Sequence, residues 1–331
     1  MFLAEIKEKE TPVSPAARFS VRRCPACGSE KRSTLFELNA AQFCRANWTY
    51  SENYNELLEL TGNESFPVDR CVTCGFVYAR LLPSQDFLKL VYERVISFSE
   101  CHAGSENAPG YARRMRYVAT LLDLCASKED LHALDFGCGL GVTLRLLHSV
   151  NATVIGYDPS PVRTDSIRAP GVTVLRTLDE IERLQEKFDM VICDNVLEHV
   201  PEPLQTIKLI AALCKPGGVL FVSVPAYEDA FIKRQLEAIG KGEMIDMTLN
   251  PWEHLNYFNL LTLDRILLNA GFEAVKASKL SENVNIGLRP ETTRLNRLKN
   301  SLASTVRMIR YIALGDTHRS VEHSFYRYAG I

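Results

Sequence analysis

LHALDFGCGLGVTLRLL, residues 131–147, changes character twice along its length. Ala133-Leu134-Asp135-Phe136 is apolar enough for a short buried strand. Gly137-Cys138-Gly139-Leu140-Gly141 is a turn, and Val142 to His148 carries helical spacing. A strand that runs through glycines into a helix builds a site for a nucleotide-type ligand. The glycines let the backbone come close, and the helix N-terminus offers unpaired N–H groups. Thr153-Val154-Ile155-Gly156-Tyr157 then reads as a second strand that exits through Asp158-Pro159. Asp158 lies roughly 20 residues past the glycines, where an acidic side chain can grip both hydroxyls of a ribose. A dinucleotide site wants G-x-G-x-x-G/A. Here position 142 is Val, and the third glycine is Gly141.

Three later stretches extend the pattern. Val172 to Leu175 is a plausible third strand, followed by the helix Glu180 to Glu186, with Asp179 as either its cap or a neighbour of an adenine ring. Phe188-Asp189-Met190-Val191-Ile192-Cys193-Asp194-Asn195-Val196-Leu197-Glu198-His199-Val200 is an apolar strand that delivers polar residues at its carboxyl end, where open α/β sheets bind ligands. Leu213-Cys214-Lys215-Pro216-Gly217-Gly218 is a turn ahead of the strand Val219 to Val224. Pro251-Trp252-Glu253-His254-Leu255-Asn256-Tyr257-Phe258 precedes the helix Leu261 to Ala270, which Gly271-Phe272 stops.

Taken together, the D-x-G-x-G-x-G turn, the FDxVxxxxxLEHV strand, the KPGG turn, the EH-x-x-YF segment and the AGF helix end resemble class I S-adenosylmethionine (SAM)-dependent methyltransferases. The resemblance covers Leu131 to about Ser278. It implies an α/β fold with a Rossmann-like seven-stranded sheet and the cofactor SAM. By the same resemblance, Asp135, Gly137, Gly139 and Gly141 shape the pocket for the methionine and ribose portions, Asp158 accepts from the ribose hydroxyls, and Asp194 and Asn195 lie near the methionine end.

Two knuckles stand ahead of this region, Cys24-Pro25-Ala26-Cys27-Gly28 and Cys71-Val72-Thr73-Cys74-Gly75. Thiolates two residues apart face one ion, and the glycine accepts the left-handed turn that follows. Four sulfurs leave no open position, so a structural Zn²⁺ on Cys24, Cys27, Cys71 and Cys74 is expected, with four free or redox cysteines as the alternative. The helix Asn53 to Leu60 is expected between the knuckles. Such a module before this fold is similar to that of the zinc-containing sugar C-methyltransferases and related polysaccharide and secondary-metabolite enzymes. In those sugar enzymes a Tyr-His-Glu-His run faces the acceptor. Here the span is Pro251-Trp252-Glu253-His254, which keeps its last two positions. His254 is therefore the preferred base, with Glu253 orienting it or binding substrate. His199 is the second candidate, and its other role is that of a hydrogen-bonded histidine at a strand–helix junction.

The chain has 331 residues, a formal charge of -2 and ten cysteines. That charge speaks against a general nucleic-acid surface, and no apolar run reaches the ~18 residues of a membrane span. With no leader-like apolar start, reduced thiols in the cytoplasm are expected. The expected layout is a loose N-terminus (1–20), a zinc-ribbon-like module (21–82), a helical linker or lid (83–125), the SAM domain (126–280) and a basic helical tail (281–331). In the linker, Gln85 to Arg94 and Tyr111 to Leu124 are expected helices. Tyr111, Arg113 and Arg114 open the second of these, and its arginines are expected on a solvated helix face, the alternative being that one of them meets the SAM carboxylate. In the tail, Arg294, Arg297, Lys299, Arg307 and Arg310 alternate with apolar residues. Such a helix packs on the main domain or lies as a peripheral contact on a membrane surface. The leading functional expectation is methyl transfer to carbon or oxygen of a small molecule, a sugar or natural-product intermediate. The alternatives are an RNA methyltransferase whose zinc module grips RNA and a non-catalytic SAM-binding protein.

Overall fold

The computed structural model describes residues 18–46, 54–62, 64–94, 108–126, 129–167, 171–243, 249–275 and 321–329. The N-terminal part contributes strands β1 (Phe19–Val21), β2 (Arg32–Asn39), β3 (Ser65–Cys71), β4 (Val77–Ala79) and β5 (Leu81–Pro83). The central part gives β6 (His132–Phe136), β7 (Thr153–Tyr157), β8 (Thr173–Leu175), β9 (Phe188–Asp194) and β10 (Cys214–Pro225). They are followed by β11 (Asn256–Tyr257), β12 (Phe272–Val275) and β13 (Val321–Tyr328).

Seven strands form one sheet in the order β12-β13-β10-β9-β6-β7-β8. β6 pairs in parallel with β7 on one side and with β9 on the other. The chain therefore reverses its direction of winding at β6, and the crevice outside the carboxyl ends of β6 and β9 is the topological switch point, where such sheets take their ligands. Apolar layers cover both faces of the sheet. One contains Leu134, Val191, Leu220 and Tyr326, the other Ala133, Met190, Phe221 and Phe325. The helix Val142–Ser149 buries Val142, Leu144, Leu146 and Leu147 and starts from Gly141, whose φ of 71° is left-handed.

β13 corrects the expected tail. Its backbone runs antiparallel between β10 and β12, with Phe325 opposite Phe221 and Tyr326 opposite Ala274. Phe325 and Tyr326 are both buried although they point to opposite faces, because both faces are covered. Residues 281–320, including the basic stretch Arg294 to Arg310, lie outside the described residues. The short helix after β8 is also corrected. It spans Leu178–Glu182, and its cap is Thr177, whose hydroxyl accepts from the Glu180 N–H while Glu180 accepts from the Thr177 N–H. Asp179 is not the cap. The helix Ala108–Leu124 begins three residues before the sequence expectation, and Tyr54–Thr61 forms the helix between the knuckles.

The N-terminal part does not close on itself. Its four-stranded sheet has the order β11-β4-β3-β2, so an edge strand comes from the segment after the SAM-type core. Trp252, just ahead of β11, is fully buried in this layer, edge-on to Phe43 at 4.9 Å and to Phe66 at 5.0 Å. Arg22 ties the same junction. Its buried guanidinium donates to the carbonyls of Ala79 (2.8 Å), Pro201 (2.9 Å) and Leu255, and to Oδ1 of Asn256 (3.2 Å). Burial lowers its pKa to about 10. Among the described residues, no helix is long and apolar enough to cross a membrane.

Candidate functional site

The glycine turn sits at the switch point. Gly137 has φ 87°, and a Cβ there would lie 2.2 Å from Cγ2 of Val196, so the turn and the segment after β9 pack together only because position 137 is glycine. A Cβ on Gly139 would meet nothing within 4 Å, so the turn opens outward at that point. The Gly139 N–H donates to Oδ2 of Asp158 (2.9 Å), and the Ser160 N–H donates to Oδ1 (2.9 Å). A carboxylate oxygen accepts along two directions. Each oxygen of Asp158 keeps one for a hydroxyl, and together they suit the two adjacent hydroxyls of a ribose.

Asp135, next to last in β6, lies just before this turn and is 3 % exposed. Burial, aided by the charges of Asp194 and Asp158 and only partly offset by Arg114, pushes its carboxyl up to about 8. Asp194, at the end of β9, is held by Arg113 from the helix Ala108–Leu124 through two parallel bonds of 2.8 and 2.6 Å. Arg113 also donates to the Ser223 hydroxyl at 2.9 Å, and its charge lies 5.7 Å from the centre of the Tyr117 ring. Burial would lower the Arg113 pKa, but the Asp194 hydrogen bonds and charge raise it. The expected solvated face is thus corrected, because Arg113 is a clamp across the crevice. A signal for it stood in the sequence. Arg113, Tyr117, Leu121 and Cys125 recur every fourth residue, and the last three are buried. Asn195 follows with φ 55°, donates its N–H to the Ser223 carbonyl at 2.8 Å and turns its amide to Asp194.

The segment after β9 brings the two histidines together. The ring centres of His199 and His254 are 4.8 Å apart. His199 Nδ1 donates to the backbone carbonyl of Glu253 at 2.9 Å, which places the hydrogen on Nδ1 and leaves a lone pair on Nε2. Burial, then the neighbouring His254, lowers the His199 pKa to about 3, so the ring is neutral at ordinary pH. Glu198 is 2 % exposed, and burial raises its carboxyl to about 8. The Glu253 carboxylate takes the Asn250 amide, and the His254 N–H donates to the Asn250 carbonyl at 2.6 Å. Glu253 therefore supports His199 through its backbone. Asn256, a residue that sequence reasoning missed, fastens the two segments. Its buried amide donates to the carbonyls of Leu197 (2.8 Å) and Val200 (2.6 Å), while the Glu198 carbonyl accepts from the N–H groups of Leu255 and Asn256.

The four cysteines also converge. Their sulfurs lie within 4.8 Å of one another, with Cys24–Cys74 and Cys27–Cys71 both at 3.6 Å. A tetrahedral ion with metal–sulfur bonds of about 2.3 Å needs sulfurs about 3.8 Å apart, so the donor set fits Zn²⁺. Gly28 and Gly75 donate back to the Cys24 and Cys71 carbonyls and close the two knuckles.

A family model described as a methyltransferase domain matches residues 111–277, half of the chain. The ubiquinone biosynthesis O-methyltransferase of Xanthomonas euvesicatoria pv. vesicatoria (strain 85-10) is 36% identical over 119 residues, which is 33% of this chain and 48% of the relative. The enzyme of the same name from Actinobacillus pleuropneumoniae serotype 7 (strain AP76) is 33% identical over 150 residues, 39% of this chain and 64% of the relative. The chain thus spans about half the length of several curated relatives that it matches. Among solved structures, magnesium protoporphyrin IX methyltransferase from Synechocystis PCC 6803 with bound SAM aligns over 66% of this chain and 78% of its own, at 18% identity and a TM-score of 0.39. With the glycine turn and the seven-stranded sheet in place, the family match identifies the chain as a member of the class I SAM-dependent methyltransferase-domain family.

Proposed function

We propose that the protein transfers a methyl group from SAM to a hydroxyl or an acidic carbon of a small molecule, a sugar or natural-product intermediate. One observation carries this reading: the glycine turn with Asp158 and the Arg113–Asp194 clamp stand at the ends of the adjacent strands β6 and β9, and the segment leaving β9 carries the His199–His254 pair. When bound, SAM supplies a sulfonium carbon already activated toward nucleophiles. The chain's own tasks are to hold the cofactor, to align the acceptor and to ease the loss of its proton.

Asp158 receives the ribose hydroxyls, and Gly137, Gly139 and Gly141 admit the cofactor against the backbone. Asp135, Asp194 and Asn195 border its methionine end. His199 and His254, with Glu253 bracing His199, form the acceptor side. The relatives named for ubiquinone biosynthesis support O-methylation of a small molecule. The paired knuckles support similarity to sugar C-methyltransferases, and Zn²⁺ on the four cysteines serves structure, because four thiolates fill its coordination.

The test is SAM titration followed by transfer of a labelled methyl group across a panel of sugars and phenolic and polyketide-type alcohols. Asp158→Ala should weaken SAM binding about 10- to 100-fold. His254→Ala should bind SAM as the parent does and turn over at least about 100-fold more slowly. A parent protein that binds no SAM would end this reading.

A further inference from the structure

Glu198, His199 and His254 form a second convergence of ligand atoms, separate from the cysteines. One atom from each lies within 4.8 Å of the others, and His199 Nε2 is 3.8 Å from Oε1 of Glu198. The donor set is two imidazoles and one carboxylate, which takes a divalent transition-metal ion and leaves coordination positions open. Two further observations point to a cation. The first is the orientation of His199. Because Nδ1 donates to the Glu253 carbonyl, the bare Nε2 lone pair faces the Glu198 carboxyl group. Metal-bound histidines are typically fixed in this way, through the other ring nitrogen and a backbone carbonyl. The second is Glu198 itself. It is 2 % exposed, and its Oε2 has no hydrogen-bond partner among the described residues. Glu198 Oε1 and His199 Nε2 stand 3.8 Å apart, too far for a hydrogen bond between them, beside a buried carboxyl oxygen that the described residues leave without a partner.

We propose that Glu198, His199 and His254 bind one divalent transition-metal ion whose open positions take a hydroxyl oxygen of the methyl acceptor. The inference rests on the methyl-transfer reading and refines its acceptor side. The ion draws charge from the acceptor oxygen, so the hydroxyl proton passes to solvent water with no histidine having to take it. The oxygen–carbon bond then forms as the carbon–sulfur bond of the sulfonium breaks, leaving a neutral thioether. Asn256 and the Glu253 carbonyl serve as positioning groups, since they fix the loop and the imidazole plane.

The test uses the full chain with Zn²⁺ supplied to the cysteines, then titrated with Co²⁺. One equivalent of Co²⁺ should bind, and X-ray absorption at the cobalt edge of the unaltered protein should show nitrogen and oxygen neighbours with two imidazoles. Glu198→Gln and His254→Gln should each weaken Co²⁺ binding about 100-fold or more. Absence of Co²⁺ binding, a sulfur-only shell, or binding indifferent to both substitutions would overturn the proposal. The absorption measurement needs no variant, so it decides even where a substitution fails to fold. SAM titration of the same samples keeps the two readings apart. SAM binding without Co²⁺ overturns the ion site alone, whereas Co²⁺ binding without SAM overturns the methyl-transfer reading and leaves the ion site standing.

Discussion

Asp135 and Arg113 show what burial does to single charges in the crevice. Asp135 has its pKa raised from 3.8 to about 8, so the native state prefers the neutral carboxyl. Its contribution is whole below about pH 4 and is lost as the pH climbs through 8, at up to about 1.4 kcal/mol per pH unit. Asp135→Asn should therefore flatten the fall in melting temperature of the ligand-free protein between pH 5 and 8, and should weaken SAM binding, because the cofactor's net positive charge favours the ionised Asp135 and an amide cannot ionise. Melting curves across that range, with and without SAM, read both effects; an unchanged slope would place the titration elsewhere. The strand–glycine turn–helix around Asp135 and the position of Asp158 at the exit of β7 were legible because short-range spacing defines them. The partners of Arg113 and Asn256 were not: the spacing puts Arg113 on the buried helix face, but the groups the two residues meet stand 81 and 59 positions away, and nothing in either neighbourhood names that carboxylate or carbonyl.

At the scale of elements, β6, β7, β9 and β10 could be read because each is a run of apolar residues bounded by turn signals. β11 could not. It is two residues long, and its only reason to be a strand is the edge of β4. β13 was hidden differently. Its residues were grouped with a basic amphipathic stretch, while its pairing partner in β10 is about a hundred positions earlier. The strand is integral to the sheet: Tyr326 is 0 % exposed, and its hydroxyl donates to Asp264 at 2.5 Å. Tyr326→Ala should cost about 3–5 kcal/mol, as large aromatic truncations in packed cores do. Denaturant unfolding measures it, and a cost below about 1 kcal/mol would mean that β13 adds little to the sheet.

Over the whole molecule, the cysteine knuckles and the acceptor side are parts of one structure. Cys74 is followed by β4, β4 pairs with β11, and β11 continues the segment that holds Trp252 and His254. The Cys74 carbonyl also accepts from Arg265 at 2.6 Å. With Zn²⁺ on the four cysteines as proposed, its removal, or Cys74→Ser, should thus lower turnover at least about tenfold while SAM affinity changes less. Turnover with metal-depleted protein, set beside SAM titration, checks this. Losses of equal size in both would point to general unfolding. Thermodynamic linkage makes such an effect run both ways. If the knuckles steady the acceptor side, a bound acceptor must steady the knuckles by the same free energy. An acceptor or a close mimic should then slow the capture of zinc by a chelator. The rate at which the four cysteines surrender a zinc ion placed on them thereby becomes a way to search for an acceptor without observing the reaction at all.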